Sequence, residues 1–152
     1  MGRLKDLRKI IDEELKDMDP NKMVSAIAHL YGVSLSATLI ARRRHENSEL
    51  AAMAGMLHDI AAYKTGSYDD HAHRGAKMAE DLLKDHALTN EEETKMIVSA
   101  IYHHDDKLVV DGPFDEVLKD ADVMHHVFND LDKPVKDKEK ARYEALCKEF
   151  GL

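Results

Sequence analysis

Asp59 follows His58 at the end of the most apolar stretch of the chain, the eight residues from Leu50 to Leu57. A carboxylate placed there must give up its water, and a buried charge without a partner costs several kcal/mol. No Lys or Arg lies between Arg44 and Lys64. The cation that Asp59 needs is therefore a metal ion or an arginine from a distant part of the chain. Histidine is plentiful enough to complete a metal site: 10 residues in 152, with pairs at His71/His73, His103/His104 and His125/His126. Imidazoles and carboxylates together suit a divalent transition metal such as Fe, Mn, Co, Ni or Zn, and disfavour Ca.

A ligand inside a helical bundle must share a face with core residues, so the helical period sorts the candidates. His29 lies in phase with Val33, Ala37 and Ile40; alone, such a histidine is more often a hydrogen-bonded core residue than a ligand. Asp122 shares a face with Leu118, Ala121 and His125, whereas Asp120 falls beside Glu116 and is expected to face water. His71 is in phase with Gly75, Met78, Ala79 and Leu82 and points inward; His73 follows Lys77, Glu80 and Lys84 and points out. His104 follows Ile97, Ala100 and Ile101, while His103 follows Met96 and Ala100, so the choice between them stays open. His125 and His126, three and four residues beyond Asp122, are placed to support ligands or simply to pack.

The elements that carry these residues read as helices. No segment alternates like a strand, and the aromatic share is only 5% with no Trp, which suits closely packed helices. A first helix over about 4–18 has Leu4, Leu7, Ile11, Leu15 and Met18 on one stripe. Asp19-Pro20 starts a second that runs to about Arg43. A third starts near Asn47 or Ser48 and is apolar all round, which makes it the centre of the bundle. A fourth spans about 70–84, and a fifth opens on a capping box of Thr89 and Glu92 and ends near His104. The stretch from Asp105 to Pro113 is the longest loop and a possible lid. A sixth helix spans about 114–128, and a tail helix carries Tyr143, Leu146, Cys147 and Phe150. The expected class is all-α, about five core helices with flanking N- and C-terminal helices, in one domain over 1–152.

The formal net charge of −8 argues against nucleic acid or an anionic membrane as partner. A small phosphorylated ligand remains possible, because a metal reverses the local field. One cysteine excludes an internal disulfide, the polar N-terminus does not read as a signal peptide, and no apolar run approaches a membrane span. These features lead to a cytoplasmic expectation.

The order of His29, His58-Asp59, His71, His104 and Asp122, all on helices over roughly 23–128, resembles the HD-domain superfamily of metal-dependent phosphohydrolases. The matching segments are HLYGVSLSATLIA, AAMAGMLHDIA, HAHRGAKMAEDLL, AIYHHD and LKDADVM. The resemblance implies a metal core of His29, His58, Asp59 and Asp122. His71 and His104 match the extra histidines of members that bind two metals, where Asp59 would bridge. The first two segments look most like small bacterial HD hydrolases, including those cleaving dinucleoside tetraphosphates, but the HT-G-type run of that group is missing. Ile60-Ala61-Ala62-Tyr63 stands where guanosine-tetraphosphate hydrolases carry a Glu-Asp pair, and no HD-GYP signature is present.

The implied chemistry is hydrolysis of a phosphate ester or anhydride, of a nucleotide-like small molecule, by a metal-activated hydroxide. One or two ions would serve. Asp59 would take part directly, and His103, Asp105 or Asp106 would shuttle a proton. Lys64, Arg74 and Lys107 are the candidates for holding phosphate oxygens, although each reads more simply as solvated surface. Tyr31, Tyr63, Tyr68 and Tyr102 offer the few surfaces on which a base could stack. Two rival readings keep the same ligands: a di-iron oxygenase, and a non-catalytic module that binds a nucleotide or metal to regulate a partner.

Overall fold

The structure is a computed structural model that describes residues 2–152, and helices are the only regular elements among them. Helix α1 (Arg3–Glu14) buries Leu7 and Ile11. Asp19 caps α2 (Pro20–Arg43), its carboxylate accepting from the Asn21 and Lys22 amides at 3.0 and 3.3 Å, with Pro20 in the first turn. Asn47 caps α3 (Ser48–Leu57) through the Leu50 amide at 3.0 Å.

Every residue of α3 from Leu50 to Leu57 is buried, and the helix touches α1, α2, α6 and α7, so the apolar stretch is the centre of the bundle as its composition implied. Gly55 lets α2 come close. A Cβ at that position would lie 2.7 Å from the Ser34 backbone, and the Ser34 hydroxyl donates to the Ala52 carbonyl at 2.9 Å. This crossing brings His29 of α2 to the end of α3.

The third helix ends at His58-Asp59, where the chain turns and forms a short α4 (Ile60–Thr65), an element not expected from the sequence, closed by Gly66 at φ +73°. Two expectations need correcting. The capping box of α6 (Glu91–His103) is Asn90 with Glu93, one residue later than expected, because the Thr89 hydroxyl is engaged with Thr94 at 2.7 Å. Helix α2, moreover, is long and apolar enough by length and composition to cross a membrane. Here it is a core helix, with Ala26, Leu30, Val33, Ala37 and Ile40 buried against α3 and α7.

Helix α5 (His71–Asp85) pairs with α6, and α7 (Pro113–Asn129) packs across α2 and α6. A 3-10 turn (Asp137–Glu139) leads into α8 (Lys140–Phe150), which lies on α7. Asp120 of α7 is not at the surface. It is buried between Arg44, at 2.8 Å, and Arg142, at 3.0 Å, and so ties the end of α2 to α8 through α7.

Candidate metal centre

Five helices deliver side chains to one point. His29 comes from the third turn of α2, His58 and Asp59 from the break after α3, and His71 from the first turn of α5. His104 caps the end of α6, and Asp122 comes from the middle of α7. Asp59 is central. Its Oδ2 lies 3.1 Å from His29 Nε2 and 3.3 Å from His58 Nε2, and its Oδ1 lies 3.3 Å from His104 Nε2 and 3.5 Å from His71 Nε2. Asp122 Oδ1 is 3.3 Å from His29 Nε2 and 3.4 Å from His58 Nε2.

The far sides of these rings decide what the near sides offer. A backbone carbonyl can only accept, so Nδ1 carries the proton in His58 (to Gly55, 2.7 Å), His104 (to Ile101, 2.7 Å) and His71 (to Tyr68, 3.0 Å). His29 Nδ1 faces His125 Nδ1 at 3.0 Å. Burial, with His29 and His126 nearby, pushes His125 down to about 4, so it stays neutral and can accept that proton. In the neutral rings every Nε2 therefore turns a lone pair to the centre, and the Nε2 atoms of His29 and His58 are only 3.0 Å apart. Such an array repels itself unless a cation or a proton sits within it.

Two buried oxygens, Asp59 Oδ1 and Asp122 Oδ1, make no hydrogen bond at all. Burial alone would raise both carboxyls. The surrounding His58, His104 and His29 rings nevertheless hold Asp59 well below the usual range, and Lys107 with His29 and His58 does the same for Asp122. The charge falls on His58, which despite burial is pushed up to about 10 by Asp59 and Asp122. Orphaned carboxylate oxygens facing convergent imidazole nitrogens match a metal-donor set, as His29/His58/Asp59 on one side and Asp59/His71/His104 on the other. The site fits one or two transition-metal ions.

The other sequence candidates divide. His104, not His103, faces the centre. His103 turns away, its ring nitrogen donating to the Ser99 carbonyl at 2.8 Å with Asp115 at 3.5 Å, so it cannot act there. Asp105 stands at the mouth, 4.0 Å from His71 Nε2, while Asp106 is exposed and does not line the cavity. His73 is outside and pairs with Asp70, as its phase predicts.

None of the three proposed phosphate holders is free for that task. Lys64 pairs with Glu14 outside the site. Arg74 braces the 65–69 turn, donating to the Asp69 and Ser67 carbonyls and to Thr65. Lys107 does line the centre, but it is 5% exposed and its Nζ is spent on Asp122 Oδ2 at 2.8 Å and the His104 carbonyl at 2.6 Å.

Above the centre lies a cavity of about 280 Å³, lined also by Tyr63, Tyr68, Lys136 and Lys138. It meets a cleft of about 820 Å³ at the two tyrosines and another of about 520 Å³ at Lys136. Tyr31 and Tyr102 are engaged elsewhere, with Asp12 and with the His73 ring. Lys136, Lys138 and Glu139 were missed in the sequence. They follow Pro134, outside the motif-bearing segments, and nothing in their pattern points inward. His126, which the sequence leaves between supporting a ligand and simple packing, lines the cavity with Nε2 3.4 Å from Asp122 Oδ1. The loop after His104 is tied down: Lys119 Nζ holds the Asp106 and Val109 carbonyls and the Asp111 carboxylate, and Arg142 holds the Lys107 and Val109 carbonyls.

An all-helical bundle with a buried His/Asp donor cluster at its centre defines the class of protein. The HD domain family model matches residues 26–126, and the chain belongs to that family. A similar solved structure is the 1.45 Å crystal structure of a predicted HD superfamily hydrolase from an uncultured Thermotogales bacterium. It is 24% identical, with TM-score 0.65, covering 99% of this chain and 90% of that one. That likeness concerns the fold. No curated protein matches the chain.

Proposed function

We propose that the protein is a metal-dependent phosphohydrolase that cleaves a phosphate ester or anhydride of a small molecule, of which nucleotides are the first class to test. The observation that carries this reading is the pair of buried carboxylate oxygens without hydrogen bonds, Asp59 Oδ1 and Asp122 Oδ1, among imidazole nitrogens. His29, His58, Asp59 and Asp122 would hold one ion, and Asp59, His71 and His104 a second, with Asp59 shared. Divalent metal bound there supplies Lewis-acid polarisation of phosphoryl oxygens and an acidified water.

The chain's own groups do the rest. Lys136 and Lys138 stand on the cavity wall where phosphate oxygens would lie, in place of Lys64 and Arg74. Asp105 at the mouth is within reach of solvent and of His71, and suits proton transfer to the leaving group or to bulk water. Tyr63 and Tyr68 offer ring faces to the organic part of the substrate.

The test is metal analysis of protein purified without chelator, with a phosphate-release screen over nucleotides and dinucleoside polyphosphates. One to two equivalents of transition metal and turnover that Asp59→Ala abolishes, with its helical signal intact, is the expected result. A bound iron pair with oxygen uptake and no phosphate release would replace the reading by an oxygenase. Metal without either reaction would replace it by a binding module.

A further inference from the structure

We propose that His126, backed by Glu139, is a metal ligand beyond the six residues that the family resemblance supplies, on the His29–Asp122 side of the centre. The inference rests on the metal-dependent reading above and deepens it. Asp122 Oδ1 is buried and makes no hydrogen bond, yet three imidazole nitrogens surround it: His29 Nε2 at 3.3 Å, His58 Nε2 at 3.4 Å and His126 Nε2 at 3.4 Å. Donor atoms of His29, Asp122 and His126 lie close enough together to share one ion. The His126 ring is stacked nearly parallel to that of His29, 5.2 Å apart at 7°, so both edges enter the same space.

The far side of His126 is built for this task. Its Nδ1 donates to Glu139 Oε2 at 2.9 Å, and Glu139 is only 2% exposed. A buried carboxylate acceptor fixes the proton on Nδ1, which leaves the Nε2 lone pair facing Asp122. It also fixes the orientation of the ring as a ligand. His58, His71 and His104 each donate to a backbone carbonyl instead. Glu139 belongs to the 3-10 turn after Pro134, so this contact ties the segment carrying Lys136 and Lys138 to the metal centre. Imidazole added to imidazole and carboxylate favours Fe, Co, Ni or Zn over Mg or Ca.

The experiment titrates Co²⁺ into metal-free protein without substrate, following both affinity and the visible absorption bands, which report coordination number. Wild type, His126→Ala and Glu139→Gln are compared, with circular dichroism to verify folding. The expected result is roughly a 100-fold loss of affinity at one site in His126→Ala, about a tenfold loss in Glu139→Gln, and altered bands in both. If His126→Ala does not fold, the isosteric Glu139→Gln carries the test. Wild-type affinity and bands in the variants overturn the inference while leaving the phosphohydrolase reading intact. Weaker binding with unchanged bands also overturns it, because His126 then acts only by positioning Asp122. A wild type that binds no Co²⁺, Mn²⁺, Fe²⁺, Ni²⁺ or Zn²⁺ overturns both readings.

Discussion

Lys107 and Asp122 form a buried ion pair at the edge of the donor cluster, Nζ to Oδ2 at 2.8 Å, with side chains only 2% and 7% exposed. The pair occupies one carboxylate oxygen and leaves the other, Oδ1, to the imidazoles. A lysine that the sequence offers as a phosphate holder thus partners a candidate ligand. Removing one member of a buried pair costs about 3–5 kcal/mol because the other charge is stranded. Lys107→Met should therefore destabilise the metal-free protein by about that amount, and the metal-loaded protein by clearly less, since a bound ion takes over the compensation. Urea unfolding with and without metal measures both; equal losses in the two states would show that charge compensation is not what Lys107 supplies.

Gly32 makes room for His125. A Cβ on Gly32 would lie 2.1 Å from the His125 ring, so Gly32→Ala must push that ring aside and deprive His29 Nδ1 of its acceptor. Overpacking of this kind costs about 1–3 kcal/mol. Loss of a ligand's supporting partner weakens metal binding by about 10- to 100-fold. Calorimetric metal titration of the variant, alongside its thermal melt, separates the two effects. Undiminished affinity would mean that His29 needs no partner.

The metal-free centre should bind metal by releasing protons. His58 is pushed up to about 10 by Asp59 and Asp122 against the effect of burial, so at neutral pH its ring is charged and must lose a proton to ligate. A raised value means that the proton is fully present well below 10 and lost as the pH rises through it. Affinity should therefore climb about tenfold per pH unit for each proton displaced. Titrations in buffers of differing ionisation enthalpy count the protons; zero release at pH 7 would contradict a charged His58.

His103 and His104 are adjacent in sequence and opposite in orientation. His104→Ala should lower the metal content, whereas His103→Ala should keep full metal content and phosphate release within about twofold, as for a surface substitution away from the site. Asp105→Asn, at the mouth, should lower turnover without changing metal content. Metal analysis and a single phosphate-release assay over the three variants suffice, and a metal-deficient His103→Ala would reverse the assignment.

The inward direction of the candidate ligands was legible because helical phase is a local property. His29, His71 and Asp122 sit on faces marked by Val33, Ala79 and Ala121, and burial of those faces against the bundle carries the polar residue inward with them. The all-apolar third helix likewise announced itself as the centre, and a carboxylate at its end had to have a cation. Phase loses its force where helices stop. His103 and His104 lie at the end of α6, and only the turn of the chain there sets which one faces the donor cluster.

Charge partners were decided by tertiary structure alone. Asp120 reads as a surface residue beside Glu116, yet it is buried between Arg44 and Arg142, which lie 76 residues before it and 22 after. Lys107 and Lys64 look alike as loop or helix-end lysines, and one is buried on Asp122 while the other pairs with Glu14. Lys136, Lys138 and Glu139 reach the cavity because the segment between α7 and α8 returns to the centre, where Glu139 meets His126 of α7. Side-chain direction within a helix follows from a repeat of 3.6 residues and can be read along the sequence. Which long, flexible charged side chain meets which partner depends on distances between segments up to 105 residues apart, as for Arg44 and Glu149, and those exist only once the bundle has closed.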